Sequence, residues 1–193
     1  MEVKKITLHN VGRFDELEIL LAPLGNLKSN VTVFVGNNGS GKTSVLRSLA
    51  TSLSWLVSRI QSEKGTGSPI PELVIKNGKT SASIDLDVYH FIGNEFDPDA
   101  EGESDDGNYF PWSVAKVRKG RKGEFKSEYW GATALADHYR TLLSIDNKAS
   151  LPLIAFYSVE RVVIDIPLKI KDKHSFLQLD GYDKSLSQGV DFR

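Results

Sequence analysis

Cysteine is absent from the 193-residue chain. That excludes disulfides and thiolate-ligated zinc and suits a reducing compartment, so a cytoplasmic protein is expected. Long apolar runs are absent too. None approaches the roughly 20 residues a membrane helix needs, so no membrane partner is expected. The opening MEVKKITLHN has lysines but no apolar core of a secretory signal. No internal repeat is present. An excess of either charge sign is also lacking: 24 Lys and Arg face 25 Asp and Glu, a net charge of -1. No global field gathers nucleic acid or acidic lipid, so any basic surface must be local. What remains is ordinary globular material, 40% hydrophobic and 25% charged, long enough for one domain with a sizeable core.

Hydropathy patterning predicts an α/β chain. VKKITLH alternates as a strand, FDELEILLAPL reads as a second, and NVTVFV as a third that is almost wholly apolar. A short β-branched run before a glycine-rich loop has the pattern of a buried, central parallel strand. In TSVLRSLATSLSWLVSRIQ, the spacing of Leu46, Leu49, Leu53, Leu56 and Ile60 predicts a helix with one buried face. SEKGTGSPIPE ends it as a loop. SASIDLDVYHF alternates Ile84, Leu86 and Val88 against Asp85, Asp87 and Tyr89, a strand with one solvated face. PWSVAKVRKG and GEFKSEYWG read as two strands joined by a glycine-bearing turn. ATALADHYRTLL is helical through Leu135, Tyr139 and Leu142. LPLIAFYSVE reads as a buried strand, and RVVIDIPLKI as one more, weakened by Pro167.

The stretch VGNNGSGKTS, Val35 to Ser44, carries the chemistry. Gly36, Gly41, Lys42 and Thr43 satisfy the P-loop pattern G-x-x-x-x-G-K-[ST]. Gly36, Gly39 and Gly41 allow backbone conformations that a Cβ forbids and bring amides close to phosphate oxygens. Those amides form an anion nest, and the following helix aims its positive end at the same point. Lys42 supplies charge to the β- and γ-phosphates, and the Thr43 hydroxyl is the expected magnesium ligand. With a buried strand predicted before it and an amphipathic helix after it, the segment is expected to bind Mg-ATP. The expected binding set is Gly36, Asn37, Asn38, Gly39, Ser40, Gly41, Lys42, Thr43 and Ser44. The fold class is then an α/β P-loop NTPase.

GNNGSGKTS, preceded by TVFV and by ITLHNVGRFDELEI, resembles the N-terminal half of ABC-type ATPase heads of the SMC/RecF group. Asn10 and Phe14 fall on that group's asparagine-plus-aromatic turn. The likeness is specific over roughly the first 60 residues and loose over the β-rich stretch at about 80–130. It implies the first lobe of such a head, with an antiparallel β layer beside a parallel core. LIAFYSVERVV and LQLDGYDKSLSQGVDFR resemble the ATPases of bacterial antiphage defence, as in Septu and retron systems. The resemblance implies a second ATPase head in a homodimer, a nuclease partner, and nucleic acid as a partner directly or through others. It also brings Arg13, and with it Asn10, near the nucleotide; a solvated turn residue is the competing reading of Arg13.

An ATPase of this group needs an apolar strand ending in aspartate, then a glutamate, and a signature loop that serves the neighbouring head. VVID ends at Asp165, but Ile166 and Pro167 follow where glutamate is required. LIAFYSVE ends in Tyr157 and Ser158, with Glu160 beyond it; Glu160 and Arg161 read better as surface ion pairs. SLSQG, Ser185 to Gly189, resembles a signature loop but is followed by only the four residues Val190 to Arg193. The nucleotide-binding half is expected here and the lobe carrying the other motifs beyond it, so the 193 residues alone are expected to be inactive. Two rivals remain: a non-catalytic nucleotide-binding scaffold, and a P-loop kinase or GTPase, for which NGKT at 77–80 and DNKA at 146–149 supply no guanine motif.

Lys116, Arg118, Lys119, Arg121, Lys122 and Lys126 cluster on the predicted hairpin, with Trp112 and Trp130 on its strands. Backbone phosphates of a nucleic acid fit such a cluster; a solvated hairpin tip is the plainer reading. The acidic stretch Glu95–Asp106 lacks calcium-loop spacing and reads as an insert that repels DNA or pairs with the basic hairpin. His90, His138 and His174 are too scattered in sequence for a metal site, and His9 reads as a strand residue.

Overall fold

Alternating side chains in the segments around the phosphate-loop sequence resolve into one antiparallel sheet. The computed structural model describes residues 1–25, 29–92, 109–157, 178–182 and 185–186. Strands β1 (Glu2–His9), β2 (Glu16–Leu20), β3 (Ser81–Tyr89) and β4 (Tyr109–Val117) lie in the order β2-β1-β3-β4, every pair antiparallel.

Register sorts the two faces. Ile84 and Leu86 of β3 stand opposite Leu8 and Ile6 on one side and Val114 and Trp112 on the other. All six are buried. The reverse face is polar. Lys5 lies 3.2 Å from Asp87 and 3.6 Å from Glu18, and His9 lies 3.2 Å from Asp85. The hydrogen bond and charge of Asp87 hold the Lys5 ammonium above its ordinary pKa.

Helices α1 (Lys42–Gln61) and α2 (Trp130–Ile145) cover the apolar face. α1 turns inward Val45, Leu53, Leu56, Val57 and Ile60; α2 turns inward Ala132, Leu135, Ala136 and Tyr139. Full burial of a side chain such as Leu56 stabilises by about 1.5–3 kcal/mol. Ser52 is fully buried, and its carbonyl accepts the Trp112 indole N–H at 3.2 Å. Between the helices, Arg59 donates to Thr133 Oγ1 at 2.7 Å, while Trp55 and Tyr129 stack with ring centroids 4.1 Å apart.

Several expectations are corrected. Asn30–Val35 forms no strand, and Val31, Val33 and Val35 are 70%, 74% and 91% exposed. A parallel strand is buried only between neighbours, and no described strand pairs with this segment. The antiparallel layer is present; the expected parallel core is not found among the described residues. Of the face expected for α1, Leu53, Leu56 and Ile60 are buried and Leu49 packs against the core, while Leu46 points outward at 38% exposure and Val45 takes the inward place beside it. The expected strand over 123–131 reduces to a single bridge from Glu128 to Ser113. Trp130 begins α2, exposed, and Trp112 is core rather than available for contact. Residues 151–157 form no strand. The expectations about Glu160, Arg161, Asp165, His174, the strand 161–170 and the acidic stretch fall outside the described residues, as does most of SLSQG.

Candidate functional site

Two chain turns meet at one end of the sheet. The first is Gly36–Gly41, leading into α1 at Lys42. Gly39 and Gly41 have φ of 77° and 99°, in the left-handed region that a Cβ disfavours. A Cβ on Gly36 would lie 2.9 Å from Ser40 Oγ, so the loop is closed tightly on itself. Ser40 N–H donates to Asn37 O at 3.1 Å, and Val45 N–H donates to Gly41 O at 3.0 Å.

The Lys42 ammonium folds back over this loop. Nζ donates to Gly36 O at 2.6 Å, Asn37 O at 2.8 Å and Ser40 Oγ at 3.3 Å. A cation is thereby held against the loop by two of its carbonyls and a hydroxyl. The first turn of α1 contains no acidic residue, and Gly41 offers no side-chain cap. Its leading amides therefore keep the unmet donors and partial positive charge of a helix N-terminus. Thr43 lies in that turn with its side chain exposed. Asn37, Asn38 and Gly39 are exposed as well. An arrangement of this kind accepts a polyphosphate and leaves a hydroxyl beside it for a cation.

The second turn, Asn10–Phe14, follows β1. Asn10 takes φ 55° and is 6% exposed. Asn10 N–H donates to Asp15 O at 2.8 Å. Asn10 thus forms the turn from within and is buried, where Arg13 is exposed. Arg13 stays exposed and donates from Nη1 to Gly39 O at 2.7 Å. Phe14 fits where Gly41 has no side chain: a Cβ there would lie 2.4 Å from Phe14 Cζ. Gly12 stands beside Ser44 with more room: a Cβ there would be in ordinary contact with Ser44 Oγ, at 3.5 Å. The structure thus brings Arg13 to the loop and turns Ser44 toward the Asn10–Phe14 turn.

Behind Ser44, a cavity of about 480 Å³ opens between α1 and the Ser68–Pro71 segment, lined among others by Arg47, Ser48, Ile70 and Phe156. It adjoins the loop's helix but is not the loop itself.

A third turn, Lys76–Lys79, was missed in the sequence because its contacts are long-range backbone bonds. Gly12 N–H donates to Val74 O at 2.7 Å, and Lys76 N–H to Asn10 O at 2.8 Å. Lys76 pairs with Asp15, and Lys79 lies 3.5 Å from the same carboxylate. The Lys76 hydrogen bond holds the Asp15 carboxyl below its usual range. Arg118, one of the cations of the basic cluster, is not free. It donates from Nε to Lys79 O at 2.9 Å and from Nη2 to Ile75 O at 2.8 Å. Lys119, Arg121 and Lys122 remain exposed on the turn. The acidic stretch joins β3 to β4 at their other end, beyond Tyr89 and Tyr109, so its points of attachment face away from the basic turn.

His90 and His138, far apart in sequence, have ring centroids 5.4 Å apart. Burial, with the α-amino group and His138 nearby, lowers the His90 pKa to about 4; burial also lowers that of His138. Among the described residues no group of three or more His, Asp or Glu is arranged to hold a metal, and no helix is long and apolar enough to cross a membrane.

Comparison with known proteins supplies the family. The family described as AAA domain matches residues 5–193. A retron Ec83 probable ATPase of Escherichia coli is 30% identical over 199 residues, covering 100% of this chain and 33% of the relative. A retron Vc95 probable ATPase of Vibrio cholerae serotype O1 biovar El Tor is 28% identical over 160 residues, covering 82% of this chain and 29% of the relative. The chain therefore spans about a third of the length of these curated relatives. With the P-loop sequence, the turn packed against it and this match, the chain belongs to the AAA-domain family of SMC/RecF-like ATPases.

Proposed function

We propose that the chain binds Mg-ATP at Gly36–Ser44 and serves as the nucleotide-binding lobe of an ATPase in a retron-type defence complex. The observation that carries this reading is the cation of Lys42 held over the loop by Gly36 O and Asn37 O. Incoming phosphates replace those carbonyls as its partners, exchanging neutral acceptors for charged ones. The loop amides and the α1 N-terminus receive phosphate oxygens. Thr43 supplies a hydroxyl to the metal, which neutralises charge on the phosphates when bound. Arg13, tied to Gly39 O, stands at the loop's rim with guanidinium donors left for the nucleotide.

Placement of this kind holds ground state and transition state about equally, which accelerates nothing. Hydrolysis also requires a group to orient water and charge at the γ-phosphate. In this reading those groups come from a second lobe and a second, identical head, and turnover governs a nuclease partner and nucleic acid. The names of the relatives support the retron setting. A non-catalytic scaffold is the alternative, since the described residues contain no general base at the loop.

Steady-state phosphate release separates the two. The 193-residue chain is expected to stay at background. The complete gene product with its partners is expected to turn over ATP, and Lys42→Ala is expected to abolish that turnover. Absence of Lys42-dependent turnover in the complete protein, with ATP still bound, would leave the scaffold reading in its place.

A further inference from the structure

Strand β1 runs from Glu2, opposite Tyr89, to His9, opposite Ser83. The Asn10–Phe14 turn that meets the phosphate loop follows His9. His90 follows Tyr89, so it stands at the other end of the sheet, away from the loop. His138 reaches the same place from α2. Their ring centroids are 5.4 Å apart with the planes at 61°. The Tyr139 ring lies 5.1 Å from His90 and 5.7 Å from His138, closing the group on its inner side. Tyr139 is buried and both histidines are partly buried.

Among the described residues the contacts of both imidazoles are ring contacts, with no hydrogen bond or ion pair. Burial holds both below the ordinary imidazole pKa, so at neutral pH each ring keeps one nitrogen lone pair. The neighbours do not claim these lone pairs. Asp137, the adjacent carboxylate on α2, is paired with Arg140. Burial pushes the Tyr139 phenol up to about 12, so it adds no anion. An edge-to-face contact satisfies neither lone pair. The spacing, however, suits a shared ion. With metal–nitrogen bonds of about 2.0–2.1 Å, two imidazoles on one tetrahedral ion have ring centroids about 5 Å apart. Turning a ring about χ2 exchanges which nitrogen faces its neighbour and moves neither backbone.

We propose that His90 and His138 are the two protein ligands of a site for a divalent transition-metal ion of the zinc class, which clips the end of β3 to α2. Neutral imidazoles are common metal ligands. Two nitrogens without a carboxylate favour zinc, copper or nickel over magnesium or calcium, so this site takes a different ion from the magnesium proposed at Thr43. Water fills the remaining positions on the open side of the rings. One ligand follows a strand and the other rides on a helix, so the ion finds both only where strand and helix are packed. Binding therefore stabilises the folded chain. The inference stands apart from the reading that the loop binds ATP.

The test is a calorimetric titration of the untagged chain with zinc chloride, with the imidazole resonances followed by NMR. In wild type the ring signals of His90 and His138 are expected to move together, while those of His9, engaged by Asp85, stay in place. His90→Gln and His138→Gln are each expected to weaken zinc binding about tenfold or more. The double variant is expected to lose little beyond either single one, because both ligands act on one ion. His9→Gln is expected to keep the wild-type affinity, and excess magnesium is expected to displace no zinc. The melting temperature of wild type is expected to rise with zinc, and that of the double variant to stay where it is. Zinc that moves one or neither of the two ring signals in wild type would overturn the proposal without recourse to any variant. So would a zinc affinity that survives the double substitution, or one that falls as far in His9→Gln.

Discussion

The Arg13 guanidinium donates to the carbonyl of Gly39 across 2.7 Å, joining the turn after β1 to the middle of the phosphate loop. The two residues are 26 positions apart, yet each supplies what the other lacks. Gly39 takes φ 77°; Arg13 gives its carbonyl a charged donor. Arg13→Ala is therefore expected to loosen the loop and weaken ATP binding about threefold to tenfold, the equivalent of roughly one net hydrogen bond. Arg13→Lys is expected to recover only part, since an ammonium cannot hold Gly39 O and reach the nucleotide at once. Isothermal titration of the three proteins checks this, and unchanged affinity in Arg13→Ala would remove Arg13 from the site.

Phe14 and Gly41 set a stricter limit. Gly41→Ala brings a Cβ to 2.4 Å from Phe14 Cζ and forces an L-residue to φ 99°. The backbone term alone costs about 1–2 kcal/mol. The variant is expected to bind ATP more than tenfold more weakly. Adding Phe14→Ala removes the clash but leaves the backbone strain, so the double variant is expected to recover part of the loss. Full recovery would show that φ at Gly41 is unimportant.

Trp112 tests the core. Its ring is 3% exposed between the sheet and α1, and its indole bonds to Ser52 O. Trp112→Ala is expected to cost about 3–5 kcal/mol of stability, measured by urea unfolding. A change below about 0.5 kcal/mol, the range of surface substitutions, would contradict this packing.

His90 supplies a pH dependence. Its folded pKa is lowered to about 4 from an ordinary value of 6.5. Between those values the unfolded chain binds the proton and the folded chain does not, so stability rises with pH through that window. On acidification from pH 7 to 4.5 the melting temperature is expected to fall, and to fall less in His90→Gln. The carboxylates titrate in both proteins, so the difference between the two curves is the informative quantity. Parallel curves would show that His90 is not buried as described.

The antiparallel layer was legible because its strands have one wet face: Ile84, Leu86 and Val88 alternate with Asp85 and Asp87, and β3 forms where that alternation predicts. α2 was legible for the same reason through Leu135 and Tyr139. Helix α1 and most of its buried face were legible through Leu53, Leu56 and Ile60, with Leu49 packed against the core; Leu46 was the exception, and the buried Ser48 and Ser52, at 4% and 0% exposure, gave no apolar signal. Asn30–Val35 shows the opposite limit. An apolar run with no alternation says only that a segment belongs inside something, not which strands surround it, and its valines stay exposed among the described residues. The loop proposed to hold phosphate could be singled out from spacing alone, since its glycines and lysine fall within eight residues. Arg13 could be brought there only by resemblance. The fork of Arg118 left no trace in the sequence, because its partners are backbone carbonyls 39 and 43 residues away, and any residue type presents a carbonyl.

Titration of a fluorescent ATP analogue, with magnesium, against wild type and Lys42→Ala is the most direct measurement of whether this loop holds a nucleotide. Lys42 donates its three contacts to the loop itself, and in the proposed bound state it faces phosphate instead. Loss of a contact charged on both sides removes about 1.5–3 kcal/mol, so Lys42→Ala is expected to bind roughly tenfold to a hundredfold more weakly. Equal affinity of the two proteins, both folded, would contradict the assignment of Gly36–Ser44 as the nucleotide site.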